Sequence, residues 1–181
     1  MRVVGAVLAG GRSRRFGSDK ALALLHGRPL IDHAADALRP HCDALVIVGR
    51  THGHLTAITD RPRSDMGPLG GMAGALAYAA AQGFDAALTV PVDCVVLPAD
   101  LRDSLSPASA FLTSQPVIGL WSAALAHRLD DWLACESDLA VRAFARQVGA
   151  RAVQGAFVPP NVNRVEDLDR LAKGDGGSER D

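Results

Sequence analysis

Aromatic residues are scarce in this chain, 4% of 181 residues, although 48% are hydrophobic. A core poor in rings must be built from alanine, leucine and valine. Long apolar runs are also missing. None approaches the roughly 18 residues that a membrane-spanning helix requires, so no membrane partner is expected. Met1-Arg2-Val3 leads straight into an apolar run without a small-residue cleavage site, which argues against a signal peptide. Cysteine is limited to Cys42, Cys94 and Cys135 with no C-x-x-C spacing. That pattern predicts free thiols in a reducing cytoplasm and gives no support to a zinc site. His52 and His54 form an H-x-H pair, but no second ligand pair stands near them, so they are read as loop residues. The net charge is −1, which denies the chain a global basic field and removes the usual argument for nucleic acid. No internal repeat or linker interrupts the sequence. Its length predicts a single domain over residues 1–172, followed by a polar, glycine-containing tail over residues 173–181 that should fray.

What is present is concentrated near the start. Val3 to Ala9 is a short run of small and β-branched apolar residues, as expected of a buried strand. It breaks at Gly10-Gly11 and is followed by Arg12, Arg14, Arg15, Gly17 and Lys20. Four cations and three glycines thus fall within the eleven residues from Gly10 to Lys20. Glycines let backbone N–H groups approach phosphate closely, and cations neutralise it. The loop is not a Walker A motif, because Ser18 follows Gly17 where that motif needs lysine. Nor is it a dinucleotide G-x-G-x-x-G, because Gly10 and Gly11 are adjacent and the next glycine is Gly17.

The rest of the chain alternates helix and strand patterns. Leu30 to Leu38 has helical spacing and stops before Pro40, and Ala44 to Val48 is a second buried strand. Strand, helix and strand with short links predict the βαβ unit of a parallel sheet. Arg50 to Ile58 shows little periodicity. Gly67-Pro68 then opens a helix rich in small residues that continues from Gly70 to Gln82, and Asp85 to Val92 is a third buried strand ending on Asp93. A carboxylate just past the carboxyl end of a parallel strand lies on the rim where α/β proteins bind ligands. Pro98 to Leu105 reads as a short helix with Asp100 and Asp103 on its solvated face. Ala110 to Leu112 and Val117 to Trp121 read as short strands, Ser122 to Ala134 and Leu139 to Val148 as helices, and Ala150 to Val153 as a last strand.

Leu8, Ala9, Gly10, Gly11, Arg15, Gly17 and Lys20, followed by Gly27, Pro29 and Leu30, form the pattern L-A-G-G-x-x-x-R-x-G-x-x-K … G-x-P-L. It resembles the signature of nucleotidyltransferases of the molybdenum cofactor guanylyltransferase (MobA) type. Further features of that family match: G-P-L-x-G at Gly67, Pro68, Leu69 and Gly71, P-x-D at Pro91, Val92 and Asp93, and N-[IV]-N-x-x-x-[DE]-L from Asn161 to Leu168. The resemblance covers about residues 3 to 172. It implies an α/β three-layer sandwich around a mainly parallel, Rossmann-like nucleotidyltransferase sheet. It also implies transfer of GMP from GTP to a molybdopterin-type cofactor, giving the guanine dinucleotide cofactor and pyrophosphate.

The resemblance assigns roles residue by residue. The backbone of Leu8, Ala9 and Gly10 would hold the base, Gly11 would join them in binding the nucleotide, and Asp60 would contact the nucleoside, with Asp65 in reserve. Arg15 and Lys20, helped by Arg12, would bind the triphosphate and the departing pyrophosphate. Asp93 would hold Mg²⁺. Asn161 and Asn163 would orient the acceptor, or else form an Asx turn and helix cap. One departure concerns the acceptor side. Family members tend to carry adjacent arginines where this chain has Glu136-Ser137-Asp138-Leu139-Ala140, so Arg142 or Arg146 would have to compensate. The chain is also abbreviated near Ser114-Gln115-Pro116. Within the enzyme class the alternative is a transferase using CTP or a sugar-phosphate acceptor. Outside it, the alternative is a GTP-binding regulator without turnover. Open at this stage are whether the acceptor comes free or from a cofactor-donating protein, and which cofactor-receiving proteins take the product.

Overall fold

The structure, a computed structural model, describes residues 1–10, 19–64, 66–135, 138–155 and 167. The expected tail over residues 173–181 lies outside these residues. In chain order the elements are β1 (Val3–Leu8), the hairpin β2 (Leu24–Leu25) and β3 (Arg28–Pro29), α1 (Leu30–Leu38), β4 (Ala44–Val48), β5 (Thr56–Ile58), α2 (Gly67–Ala81), β6 (Ala86–Pro91), α3 (Leu101–Ser104), β7 (Ala110–Leu112), β8 (Gly119–Ser122), α4 (Ala126–Ala134), α5 (Val141–Val148) and β9 (Arg151–Val153). Seven strands form one sheet in the order β5-β4-β1-β6-β8-β7-β9. β1 runs parallel to β4 and β6, β4 to β5, and β7 to β9, while β8 is antiparallel to both of its neighbours. β8 is reversed because it returns from β7 through a turn, and a turn that short joins only antiparallel strands. The mainly parallel α/β sandwich expected from the sequence is therefore the fold observed.

Alternation along β1 divides the core in two. Val4 and Ala6 face a layer containing α2, α4 and α5, with Leu69, Met72, Leu76, Leu129 and Phe144. Val3 and Val7 face the other layer, where α1 and α3 contribute Ile31, Ala34, Leu38 and Leu101. The helices fit these roles by pattern. α1 buries Leu30, Ile31, Ala34, Ala35 and Leu38, a single stripe at helical spacing. α2 is buried from Leu69 through Leu76 without a break, as expected of a helix apolar on all sides.

Four of the described aromatics form one cluster, while Tyr78 and Phe84 stack on each other separately. Trp121 on β8 stacks on Phe111 with ring centroids 6.1 Å apart, and Phe144 of α5 lies 6.4 Å from it. The Trp121 Nε1–H donates to the Thr89 hydroxyl at 3.2 Å, and that hydroxyl donates to the Val117 carbonyl at 2.6 Å. Thr89 is thereby satisfied although it is fully buried in β6.

Three local expectations are adjusted. The weakly patterned stretch after Arg50 contains β5, whose pairing with β4 supplies an order that its exposed Thr56 and Ala57 could not signal. The helix expected from Pro98 narrows to the single turn of α3. Ser122 closes β8 instead of opening a helix, and its side chain accepts from Ala124 N at 3.4 Å, capping a one-turn 3-10 helix ahead of α4.

Candidate functional site

The parallel strands β1, β4, β5 and β6 all deliver their carboxyl ends to one edge of the sheet, and hydrogen bonds extend their register beyond the strands. Ala9 N donates to Val48 O at 2.9 Å, Gly49 N to Ile58 O at 2.8 Å, and Val92 N to Leu8 O at 3.2 Å. Leu8, Ala9 and Gly10 are thus pinned between the ends of β4 and β6. The fit at Gly10 is close. A Cβ placed there would stand 3.2 Å from the Gly49 Cα and 3.4 Å from both carboxylate oxygens of Asp60. Gly49 has a φ of +90°, and a Cβ on it would overlap the Gly10 backbone. Two strand ends therefore touch backbone to backbone beside the Asp60 carboxylate, an arrangement open only to glycine.

Asp60 is set from behind by α2. A Cβ at Gly74 would overlap the Thr59 carbonyl, so the helix lies directly against the segment that carries Asp60. Arg61 N donates to Gly70 O at 3.0 Å. The Arg61 guanidinium also grips Asp130 of α4 with two bonds, Nη2–Oδ2 at 2.8 Å and Nε–Oδ1 at 3.3 Å. A cavity of about 440 Å³ opens beside Asp60, lined also by Gly49, Arg50, Thr51, Thr59 and Ser64. It is large enough for a nucleoside-sized group.

On the other side of β1, Lys20 meets Asp93. The ammonium lies 2.6 Å from Asp93 Oδ2, and both side chains are 14% exposed. Residues 73 positions apart in the chain thus share one shielded spot. Lys20 starts a one-turn 3-10 helix whose cap is Asp19, which accepts from Ala21 N at 3.2 Å. The hairpin that follows buries Leu25 with Leu30, and Val95, just after Asp93, packs against them. This small apolar cluster holds the two segments together and so fixes the ion pair. The Arg50 guanidinium, hydrogen-bonded to Asp19 at 2.6 Å, holds the Asp19 carboxyl below its ordinary range. Cys94, beside Asp93, is buried, and burial pushes its thiol up to about 12, so it is no nucleophile.

Among the described residues no group of three or more His, Cys, Asp or Glu side chains converges on a metal position. A hard divalent ion such as Mg²⁺ does not need one, since it takes one or two carboxylates and completes its shell with phosphate oxygens and water. Asp93, a shielded carboxylate at the rim beside the Lys20 ammonium, fits that donor set.

The structure thus brings Leu8, Ala9, Gly10 and Asp60 together and pairs Lys20 with Asp93. Gly11, Arg12, Arg15, Asp65, Asn161 and Asn163 lie outside the described residues. On the proposed acceptor side, Arg142 donates from Nη2 to the Thr113 carbonyl at the rim end of β7, and Arg146 is exposed one turn further along α5. His52 is tied by Nε2 to Asp32 Oδ1 of α1 at 2.7 Å, in keeping with its reading as a loop residue. Sequence reasoning missed Gly49, Arg50, Arg61 and Gly74, whose contacts lie far apart in the chain. The one available signal was Gly49-Arg50 directly after the β4 run, the same strand-to-glycine break that marks Gly10.

Comparison with known proteins gives a consistent result. A family model described as the MobA-like NTP transferase domain matches residues 5–156. A molybdenum cofactor guanylyltransferase of Cereibacter sphaeroides is 37% identical over 186 aligned positions, covering 94% of this chain and 95% of its own. One from Acidiphilium cryptum is 33% identical, covering 93% of each chain. The crystal structure of molybdopterin-guanine dinucleotide biosynthesis protein A from Archaeoglobus fulgidus superposes with a TM-score of 0.71 at 17% identity, covering 94% of this chain and 97% of that one.

Proposed function

The chain belongs to the MobA-like NTP transferase family and is a nucleotidyltransferase, and we propose that it transfers GMP from GTP to the phosphate of a molybdopterin-type cofactor. The observation that carries the site is the Lys20–Asp93 pair at 2.6 Å, on the rim next to the Gly10–Gly49 contact and the Asp60 cavity. It juxtaposes a cation suited to phosphate, a carboxylate suited to a divalent ion, and a pocket for a nucleoside. The names of the relatives supply the substrates.

The chemistry follows from charge. The acceptor phosphomonoester has a second pKa of about 6, so near neutrality it is already a dianion and needs no general base. Its oxygen attacks the α-phosphorus of GTP in line. A new O–P bond forms, the bond from the α-phosphorus to the bridging oxygen breaks, and pyrophosphate leaves with that electron pair. The protein's work is alignment and stabilisation of developing negative charge. Backbone at Leu8 to Gly10 bounds the base, with Gly11 continuing it, and Asp60 orients the nucleoside. The Lys20 ammonium, with Arg15 and Arg12, neutralises the triphosphate and then the pyrophosphate. Asp93 would hold Mg²⁺, which when bound supplies further positive charge at the phosphate oxygens. Asn161 and Asn163 would orient the acceptor phosphate, assisted by Arg142. A single catalytic domain over residues 1–172 and a cytoplasmic location, as expected for free thiols, complete the reading.

The experiment is pyrophosphate release with Mg²⁺ and molybdenum-loaded cofactor, comparing GTP, CTP, ATP and UTP. GTP alone should support release. Release with CTP would overturn the base assignment, and no release from any nucleotide that still binds would overturn turnover.

A further inference from the structure

Arg50 follows Gly49 at the end of β4 and lines the cavity that contains Asp60. Its Nη2 nevertheless reaches Asp19, 31 residues earlier, with a 2.6 Å bond to Oδ2. The Arg50 side chain is 25% exposed, and its enclosed Nε has no hydrogen-bond partner among the described residues. An exposed ion pair made only for stability would let every N–H meet water. Here one guanidinium N–H is enclosed without a partner among the described residues while another holds Asp19, and such a buried, unsatisfied donor calls for an explanation. Asp19 offers one. It is the cap of the 3-10 turn that opens with Lys20, so whatever fixes Asp19 fixes the base of the Lys20 side chain. Arg50 is itself fixed, because Gly49 is locked against Gly10 and hydrogen-bonded to Ile58.

We propose that Arg50 is a positioning residue: by clasping Asp19 from the wall of the Asp60 cavity, it sets where the Lys20 ammonium stands for the phosphates. The strand ends that shape the nucleoside side of the site thereby also align its phosphate side. The inference rests on the assignment of Lys20 to the triphosphate.

The test is a ladder of affinities for GMP, GDP and GTP, measured by calorimetry on the full chain with Mg²⁺, alongside thermal unfolding and steady-state pyrophosphate release. In Arg50→Ala, GTP affinity and kcat/KM should fall about tenfold or more while GMP affinity stays near wild type, since misplacement of a charge by about 1 Å costs up to about 100-fold. Asp19→Asn should reproduce the flattened ladder, and the double variant should lose no more than either single one. Arg50→Lys, which keeps the charge on a single nitrogen, should recover part of the GTP increment. Equal losses for GMP and GTP would overturn the proposal in favour of a direct nucleoside contact. A lowered melting temperature with an intact ladder and unchanged kcat/KM would overturn it in favour of a structural pair. If Arg50→Ala fails to fold, Arg50→Lys and Asp19→Asn decide on the same ladder. Absence of turnover in the wild-type protein would defeat the guanylyltransferase reading while leaving the ladder to judge Arg50.

Discussion

Gly49→Ala tests whether the close contact between strand ends is what shapes the site. The new Cβ would overlap the Gly10 Cα and N, both backbone atoms, so no side-chain rotamer can relieve it. Ordinary carbon contacts are about 3.5–4.0 Å, so one strand end must retreat by roughly 1 Å. A non-glycine residue at a φ of +90° adds strain of about 1–3 kcal/mol. Together these predict a loss of about 2–4 kcal/mol, and hence a melting temperature lower by roughly 5–15 °C for a chain of this size. Function should suffer more than stability. The displaced atoms are those bounding the proposed base site, and a 1 Å error there predicts a fall in kcat/KM of up to about 100-fold. Gly53→Ala is the control. Gly53 also has positive φ, +55°, but a Cβ there meets nothing within 4 Å. It should lose about 1 kcal/mol and keep full activity. Calorimetry and pyrophosphate release on both variants separate backbone strain from overlap. Wild-type kcat/KM in Gly49→Ala would refute the argument.

Other perturbations test separate parts of the structure. Asp93→Ala should abolish turnover while the far-UV circular dichroism stays native; full-rate turnover would remove Asp93 from any metal role. Thr89→Val leaves the Trp121 Nε1–H and the Val117 carbonyl without their buried partner, predicting about 2–3 kcal/mol lost in urea unfolding with activity retained. His41 is 5% exposed, and desolvation, helped by Arg102, lowers its pKa from 6.5. Because the unfolded chain then binds the proton more readily, stability should decline as pH falls below 6.5, and His41→Gln should flatten that slope in urea midpoints from pH 7.5 to about 5.5. Alkylation at pH 8 followed by mass spectrometry should label exposed Cys135 quickly and spare Cys94 until unfolding, since the Cys94 thiol stays protonated.

Much of this architecture is legible in the sequence because its strands are buried on both faces. Continuous apolar runs such as Ala44–Val48 and Ala110–Leu112 have strand length and clear boundaries, and they coincide with β4 and β7. β5 was not legible, because its three residues, two of them exposed, follow the polar, unpatterned stretch from Arg50 to His54 and are defined by their pairing with β4. For the site, Gly10 and Asp93 were legible because each lies just past a strand end where polarity changes abruptly, and Lys20 because it closes the glycine- and cation-rich stretch that begins at Gly10. Their pairing was not. That Lys20 reaches Asp93 depends on the Leu25–Leu30–Val95 cluster, and no local periodicity records such a contact across the fold. Arg50 and Arg61 were hidden for the same reason. In the sequence they are surface-type arginines in a polar stretch, and only their partners Asp19 and Asp130 distinguish them.

The scarcity of aromatics and the geometry of the site have a common origin. α2 can lie flat against the segment carrying Asp60 only because its facing residues are small; a side chain at Gly74 would push against the Thr59 carbonyl and carry Asp60 away from Gly10. A core built on large rings would hold helix and sheet further apart and leave such backbone contacts unmade. Of the described rings, Phe111, Trp121, Trp132 and Phe144 pack under α4 and α5, and Tyr78 stacks on Phe84 at the carboxyl end of α2. Each polar group at the rim is then tethered on its far side: Asp60 through Arg61 to Asp130, Lys20 through Asp19 to Arg50, and Asp93 through Val95 to the hairpin. Groups held in this way need little rearrangement when negative charge develops between them, which is the condition for electrostatic stabilisation of a phosphoryl-transfer transition state. The small residues bring the site together, and the distant tethers keep its charges in place.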